Sequence, residues 1–309
     1  MRKLFFVLMA FSAASLLYCC KGTNSPDGLN LKFNLQKGEK FLYTAGMDMH
    51  SRQNVMGKDM DVNTRMDMAY TFDVTGDSAG WKQVNATISK IAINMDAGGM
   101  QIKFDSDDPA AADSTNPMAK VGKIFGAMKG GQFGFTMNEK GKVGNVTGIR
   151  EMMEHAVASL NDPTASAALM SGLSKTFDEN QFKQNLEQSF GIYPDKPVKA
   201  GDSWNKTMTM NNAGILMKMD NTYTLESVDN NNSNVKMSSK ISSGSDSAKL
   251  MGMNMDMNGT MEGTMQFDIA SGMPVKGVST MQMNMKVKSQ GTEMPMNMTF
   301  TMNITGKKL

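Results

Sequence analysis

Methionine is the residue whose type and spacing in this sequence most readily suggest chemistry. The segment MDMH places Met47 and Met49 two residues apart, with His50 directly after them. Thioethers are soft ligands that favour Cu(I), and two sulfurs on one face can form a trigonal site with a third ligand. On a regular strand, however, alternate side chains lie on opposite faces, so His50 would point away from both methionines. Packing in a core explains the same spacing without a metal.

Methionines extend far beyond that segment, since the chain has 35 of them in 309 residues. The stretch LMGMNMDMNGTMEGTMQFDI, residues 250–269, has one at nearly every second position. Methionine is flexible and polarizable, so it fills irregular cores and also forms adaptable binding surfaces. Three interpretations follow: a filled core, a cavity that accepts lipids or other apolar molecules, or a copper site. We expect no resident cofactor.

Groups typical of enzyme active sites are few. The only histidines are His50 and His155, and His155 lies in a segment predicted to form an amphipathic helix. The sequence contains no His-Glu-x-x-His motif and no phosphate-binding glycine loop. The acidic stretch DSDDPAAAD, residues 105–113, departs from an EF-hand loop and is interpreted as a solvated loop. We therefore predict that the protein is not an enzyme.

Three serines lie in short motifs of a different kind. Ser78, Ser114 and Ser247 each follow an aspartate and precede a small side chain or a threonine. These tripeptides resemble the acceptor motif for protein O-glycosylation in some Gram-negative bacteria. All three fall in predicted loops, where a bulky sugar can be accommodated. They are candidate glycosylation sites.

The N-terminus has the pattern of a secretory signal. A basic pair precedes an apolar run over residues 4–17, which is too short for a membrane span. The pattern resembles a bacterial lipoprotein signal, in which a cysteine is acylated and becomes the mature N-terminus. Cys20 fits that position best, with Leu17 three residues before it. Cys19 is the alternative, although it follows the bulky Tyr18.

Cleavage before Cys20 would remove a signal peptide of residues 1–19 and leave a tether of residues 20–28. The two basic residues of the signal leave with it, so Lys plus Arg falls from 32 to 30 and equals the 30 Asp plus Glu. No polybasic segment then points to nucleic acid or to an anionic membrane surface. The predicted partners are a membrane, reached through the acyl chains, and an apolar small molecule. The predicted location is the periplasmic side of the outer membrane.

Alternating apolar residues dominate residues 29–105 and 195–309, which is typical of strands with one buried face. Met66, Met68, Tyr70 and Phe72 form one such face. The two regions share weak similarity, as between AYTFDVTGDSAG and TYTLESVDNNNS, which suggests a repeat. The sequence therefore predicts an α+β, mainly β fold, in which two related curved antiparallel sheet units are joined by a helical insertion.

That insertion, residues 106–194, contains helix signals around one hairpin. A helix is predicted after Pro117, and the hairpin is expected to turn at residues 139–141. Thr147, Asp162-Pro163 and Asp178 are predicted to begin three further helices. In the last of these, residues 182, 186 and 190 are apolar and share one face.

The Asn258-Gly259 dipeptide is a hairpin signal. A two-residue loop would put the methionines of the two arms on opposite faces. A three-residue loop over residues 257–259, with Gly259 left-handed, aligns Met255 with Met261 on one face. The sequence therefore predicts a hairpin with the three-residue loop.

The arrangement of the whole chain resembles a family of uncharacterised Gram-negative envelope lipoproteins. The resemblance rests on the cysteine-terminated signal, on LNLKFNLQKGEKFLYT at residues 29–44 and on MQFDIASGMPVKG at residues 265–277. It covers most of residues 29–306 and consists of strand and turn patterns. It implies a lipid-anchored envelope protein of unknown activity and supplies no catalytic residues. An apolar ligand between sheet and helices, a filled structural core and Cu(I) binding remain the three expectations for function.

Overall fold

The structure is a computed structural model. It describes residues 28–55, 58–97, 100–108, 119–173, 179–212, 215–229, 231–243, 248–250, 253–289 and 292–309. Five residues with a predicted role lie outside the described residues: Cys19, Cys20, Ser114, Asp178 and Ser247.

Thirteen strands in the described residues form one antiparallel sheet. Their bounds are β1 (Lys40–Val55), β2 (Lys58–Ser78), β3 (Trp81–Ala97), β4 (Met100–Asp105), β5 (Gln132–Asn138), β6 (Val143–Thr147), β7 (Ser203–Asn212), β8 (Ile215–Asp229), β9 (Asn232–Ser243), β10 (Ala248–Leu250), β11 (Met253–Asp268), β12 (Pro274–Ser289) and β13 (Thr292–Lys308). The strand order is β6-β5-β3-β2-β1-β13-β12-β11-β9-β8-β7, while β4 pairs with β3 and β10 with β11.

The prediction of two separate sheet units is wrong, because β13 lies between β1 and β12 and pairs with both. The register aligns Met47 of β1 with Met302, and Ser279 of β12 with the same residue. A separate unit would leave the backbone groups of β1 and β13 unpaired at an exposed edge. Their pairing satisfies those groups and joins both halves into one sheet.

The predicted hairpin at Asn258-Gly259 is also wrong, because β11 runs straight through this dipeptide. Gly259 pairs with Ile241 of β9 on one side and with Met283 of β12 on the other. A Cβ atom at Gly259 would lie 2.9 Å from Cγ of Met283 and clash with the Gln282 carbonyl oxygen. Glycine is therefore required here for the close approach of β12, not for a left-handed turn.

Four helices lie within the described residues: α1 (Ala119–Met128), α2 (Ile149–Ala158), α3 (Pro163–Leu173) and α4 (Glu179–Phe190). The prediction that Pro163 occupies the first turn of a helix is confirmed. The predicted cap at Thr147 is wrong, because Thr147 ends β6 and Gly148 occupies the N-cap with φ 86° and no side-chain hydrogen bond. Among the helices of the described chain, none combines the length and apolarity needed to span a bilayer.

The predicted hairpin within the insertion is confirmed and consists of β5 and β6. It does not stand apart with the helices, because β5 pairs with β3 and extends the main sheet. Its short strand β6 thereby becomes one edge of the sheet, and β7 is the other.

Helix α4 contacts both of these edge strands. On the β6 side, the Val143 amide donates to Glu187 Oε1 at 3.1 Å. On the other side, Gln188 Nε2 donates to Met219 Sδ of β8 at 3.5 Å. The chain after α4 continues this contact, since Trp204 Nε1 of β7 donates to the Ile192 carbonyl at 2.7 Å. The sheet is therefore curled, with its apolar face inward and α4 across the opening between its edges.

The N-terminal segment before β1 covers one end of the curled sheet. Leu31, Phe33 and Leu35 are fully buried there. The Phe33 amide donates to the Glu139 carbonyl at 2.9 Å, and the Asn34 amide donates to the Ser271 carbonyl at 2.8 Å. These bonds tie the segment to two separate turns, so this end is closed by packed side chains.

Most described methionines of the C-terminal half fill the inward face of the sheet. Eight residues form a buried cluster, here named the methionine cluster: Met210, Met219, Ile241, Met255, Met257, Met283, Met285 and Val287. Further half-buried methionines, Met281 among them, pack against it. Core packing therefore explains the dense methionine pattern in this half of the sheet.

Candidate functional site: an apolar cavity

A cavity of about 630 Å³ lies between the sheet and the four helices. This volume falls within the range of roughly 300–1,000 Å³ that is typical of small-molecule sites. The sheet wall is formed by Tyr43 of β1, Met66, Met68, Tyr70 and Phe72 of β2, Ile88, Ile91 and Ile93 of β3, and Phe133 of β5.

The helix wall is formed mainly by α4. The other helices supply Ile124, Phe125 and Met128 of α1, Met153 of α2 and Leu169 of α3. Helix α4 supplies Gln181, Phe182, Asn185, Leu186, Ser189 and Phe190. Among these lining residues of the described chain, none carries a formal charge at neutral pH. The cavity is therefore suited to an apolar molecule.

Aromatic rings fix α4 against the sheet. Phe182 meets Phe133 with ring centroids 5.6 Å apart, and Phe190 meets Phe72 at 5.9 Å, both edge to face. Phe190 also contacts Tyr43, with centroids 6.2 Å apart. Edge-to-face pairs of this kind contribute about 0.5–1.5 kcal/mol beyond their buried area. The predicted apolar face of α4 is confirmed, and it is the face that closes the cavity.

Two tyrosines place neutral hydroxyl groups in the sheet wall. Tyr43 and Tyr70 are direct partners across β1 and β2, and the Tyr70 hydroxyl donates to Met68 Sδ at 3.4 Å. Burial raises the pKa of Tyr70 to about 12. Burial, together with the neighbouring Tyr70, also raises the pKa of Tyr43 above its usual range. Because both phenols stay protonated, they offer hydrogen bonds without adding charge.

Polar side chains at the cavity occur every fourth residue along α4. Gln181 Nε2 donates to Asn185 Oδ1 at 3.3 Å, and Ser189 Oγ donates to the Asn185 carbonyl at 3.1 Å. Asn185 and Ser189 are exposed to solvent, whereas the neighbouring Phe182 and Leu186 are partly buried. The three residues 181, 185 and 189, here named the amide rim, therefore form a polar border where the cavity meets solvent.

The residues of the copper hypothesis are not brought together on one face. His50 is exposed, with Nδ1 2.7 Å from Asn63 Oδ1 and Nε2 3.9 Å from Asp61 Oδ1. Met47 and Met49 lie at the alternate positions of the regular strand β1, on the opposite, inward face.

The other sequence candidates lie away from the cavity. Ser78 ends β2 and is exposed. In the acidic loop, Lys90 Nζ lies 3.0 Å from Asp105 and 3.2 Å from Asp107, while Lys129 Nζ lies 2.6 Å from Asp107. These carboxylates are therefore paired with lysines. Across the part of the chain that is described, no group of three or more His, Cys, Asp or Glu side chains is placed to hold a metal.

Sequence reasoning found both walls of the cavity but not that they face each other. The alternation of Met66, Met68, Tyr70 and Phe72 marks one wall, and the apolar face of α4 marks the other. Their contact depends on the path of the chain between them. Tyr43 was missed because a single aromatic residue in an alternating strand gives no signal beyond burial.

The sequence matches the model of one protein family over residues 79–274, described as a family of unknown function, DUF6263. The match includes β3, the insertion and the sheet up to the start of β12. Comparison with curated proteins finds no significant match.

Several solved structures are similar to the chain at low scores. The OpdQ structure from Pseudomonas aeruginosa is 6% identical and covers 89% of this chain and 100% of that chain, with a TM-score of 0.25. The COG4313 outer membrane channel from Pseudomonas putida F1 is 4% identical, covers 89% and 97%, and has a TM-score of 0.22. The translocator domain of the autotransporter NalP from Neisseria meningitidis is 4% identical, covers 87% and 90%, and scores 0.21. Scores this low do not establish a shared fold.

Proposed function

We propose, on the premise that the chain belongs to the family of unknown function DUF6263, that this protein is a non-enzymatic binder of an apolar ligand. The ligand would be a hydrocarbon chain or a molecule of similar shape, held between the curled sheet and the helices. The observation that carries the proposal is the cavity of about 630 Å³ with its uncharged lining.

The chemistry of the lining supports hydrocarbon over polar ligands. Burial of a methylene group contributes about 0.8 kcal/mol, so a chain of about ten methylenes gains ~8 kcal/mol before the entropic cost of binding. That gain alone corresponds to a dissociation constant of about 1 μM, and an association cost of about 4 kcal/mol would leave a dissociation constant of about 1 mM. Methionine and aromatic side chains adapt to ligands of different shape, which favours a class of ligands over a single compound.

The proposed location is the cell envelope, with Cys20 as the acylated N-terminus and Cys19 as the alternative. Support comes from the signal-like N-terminus and the neutral charge balance of the chain after it. An anchored protein would meet its ligand at or near a membrane. The polar groups that border the cavity are carboxamides, a hydroxyl and two neutral phenols. The simplest role for such a cavity is to bind a ligand without catalysing a reaction.

The experiment combines native mass spectrometry with a binding assay. Protein purified gently from its own membranes is weighed before and after unfolding, and N-phenylnaphthylamine fluorescence is then titrated against the emptied protein. A released apolar molecule and saturable probe binding would support the proposal. Binding of one copper ion would instead favour copper binding over the apolar-ligand proposal. The bare protein mass, together with no probe binding, would favour a packed structural protein.

Matched substitutions localise the binding. Met66→Trp places a larger side chain in the cavity wall and is expected to weaken probe binding at least tenfold. Met281→Trp makes the same change at a half-buried position on the inward face, against the methionine cluster and outside the cavity. Equal effects of the two substitutions would contradict binding in this cavity.

A further inference from the structure

The distribution of charged side chains around the cavity indicates which headgroup its ligand carries. We infer that the physiological ligand is an amphiphile with an uncharged, hydrogen-bonding headgroup, which lies against the amide rim of α4 while its apolar chain fills the cavity. This inference rests on the proposed function, because it assigns a headgroup to the ligand of the same cavity.

The side of α4 that borders the cavity mouth is polar but uncharged. Successive helical residues are about 100° apart around the axis, so residues 181, 185 and 189 share one side of α4 with residues 184 and 188. All five are glutamine, asparagine or serine. The charged residues Glu179, Lys183 and Glu187 fall on another side of the helix. The helix therefore separates its carboxamides from its charges.

Among the residues whose placement is described, the rest of the wall also provides no counter-ion for a charged headgroup. Lys123 of α1 and Lys129, which follows α1, are exposed and neither lines the cavity, and Lys129 already pairs with Asp107. The two wall tyrosines are neutral donors. A carboxylate or phosphate placed against the rim would lose part of its hydration without gaining an opposite charge, which disfavours its binding. An alcohol, ester or amide headgroup loses less and can bond to the carboxamides.

The test compares short amphiphiles that differ only in the headgroup. Decanol, monodecanoylglycerol and decanoate are used at pH 8 to displace N-phenylnaphthylamine from the protein. The two uncharged ligands are expected to displace the probe at concentrations at least tenfold lower than decanoate. Equal or better displacement by decanoate would overturn the inference while leaving the apolar cavity in place. Failure of probe and ligands alike to bind would instead contradict the proposed function itself.

A charge introduced at the rim gives a second, independent readout. Asn185→Lys puts a cation at an exposed rim position, and it is expected to bring decanoate to within about threefold of decanol, since an opposite charge now lies near the carboxylate. Asn180→Lys is the matched control, because Asn180 is exposed on the same helix but does not line the cavity. An unchanged preference in Asn185→Lys, with the fold intact by circular dichroism, would show that the headgroup does not lie at the amide rim.

Discussion

The carboxylate of Glu187 accepts a hydrogen bond from the Val143 amide at 3.1 Å and so joins α4 to the edge strand β6. Without this bond, a partly buried amide of the edge strand would lack its acceptor. The bond therefore contributes both to the position of α4 and to protection of the sheet edge.

Replacement of Glu187 by alanine is expected to lower the free energy of unfolding by about 1–3 kcal/mol, because the Val143 amide loses its partner. Glu187→Gln keeps an oxygen acceptor at the same position and is expected to lose less than half as much. Urea denaturation of both variants gives the comparison. Equal losses would indicate that the carboxylate charge, and not the hydrogen bond, is what matters.

The continuous strand through Asn258 and Gly259 predicts that substitution destabilises the protein at Gly259 and has almost no effect at the neighbouring Asn258. Gly259→Ala is expected to destabilise the protein by about 1–3 kcal/mol, because a methyl group clashes with β12. Asn258→Thr is expected to change stability by less than about 0.5 kcal/mol, since the side chain is exposed and threonine favours strands. Both are measured by urea denaturation. A strongly destabilising Asn258→Thr would point back to a turn at this dipeptide.

Three buried tyrosines and the partly buried Tyr70 predict loss of stability at high pH. Burial raises the pKa of Tyr43, Tyr70, Tyr193 and Tyr223 above the ordinary value of 10.0. Above pH 10 the unfolded chain loses phenolic protons that the folded chain retains, so stability falls as pH rises from 10 towards 12. The slope is about 1.4 kcal/mol per pH unit for each tyrosine.

Tyr70→Phe isolates one of these contributions. The ring and its stacking on Phe72 are kept, but one titrating group is removed. The slope of unfolding free energy against pH between 10 and 12 is expected to fall by about one quarter, since one of four tyrosines no longer titrates. The measurement is urea denaturation at a series of pH values, with the wild-type protein in parallel. An unchanged slope would show that Tyr70 ionises as freely in the folded as in the unfolded chain.

Oxidation by hydrogen peroxide is expected to separate the methionines by exposure. Met294 and Met302 are 37% and 39% exposed, whereas Met219 and Met255 are 1% and 2% exposed. The exposed pair is expected to form sulfoxide first, at rates at least tenfold higher, because the reaction requires contact with the oxidant. Peptide mapping by mass spectrometry gives the order. Early oxidation of Met219 would contradict a closed methionine cluster.

Local patterns in the sequence predict the elements well, because alternation and helix periodicity are properties of neighbouring residues. Two elements were predicted from such local patterns. They are the apolar face formed by Met66, Met68, Tyr70 and Phe72, and the hairpin that turns at residues 139–141. The pairing of β1 with β13 could not be predicted, since alternation does not specify which strand lies beside which. The repeat-like similarity between the two halves then favoured two sheets over one.

The error at Gly259 has a related cause. Asn-Gly is a strong local turn signal, but a glycine is also needed where two backbones or a backbone and a large side chain approach closely. Only the partner strand distinguishes these uses. The cavity could be predicted only in part. The apolar faces of β2 and α4 can be recognised in the sequence, but the contact between them cannot.

The place of β13 between β1 and β12 also has a consequence for synthesis. Until β13 emerges from the ribosome, the earlier strands can form no more than two unjoined half-sheets, each with an open edge at the future centre. Pairing of β1 with β13 closes a loop of more than two hundred residues, and such distant pairings form slowly. The nascent chain therefore carries open, aggregation-prone strand edges until β13 has emerged, and a protein truncated before β13 would keep those edges exposed.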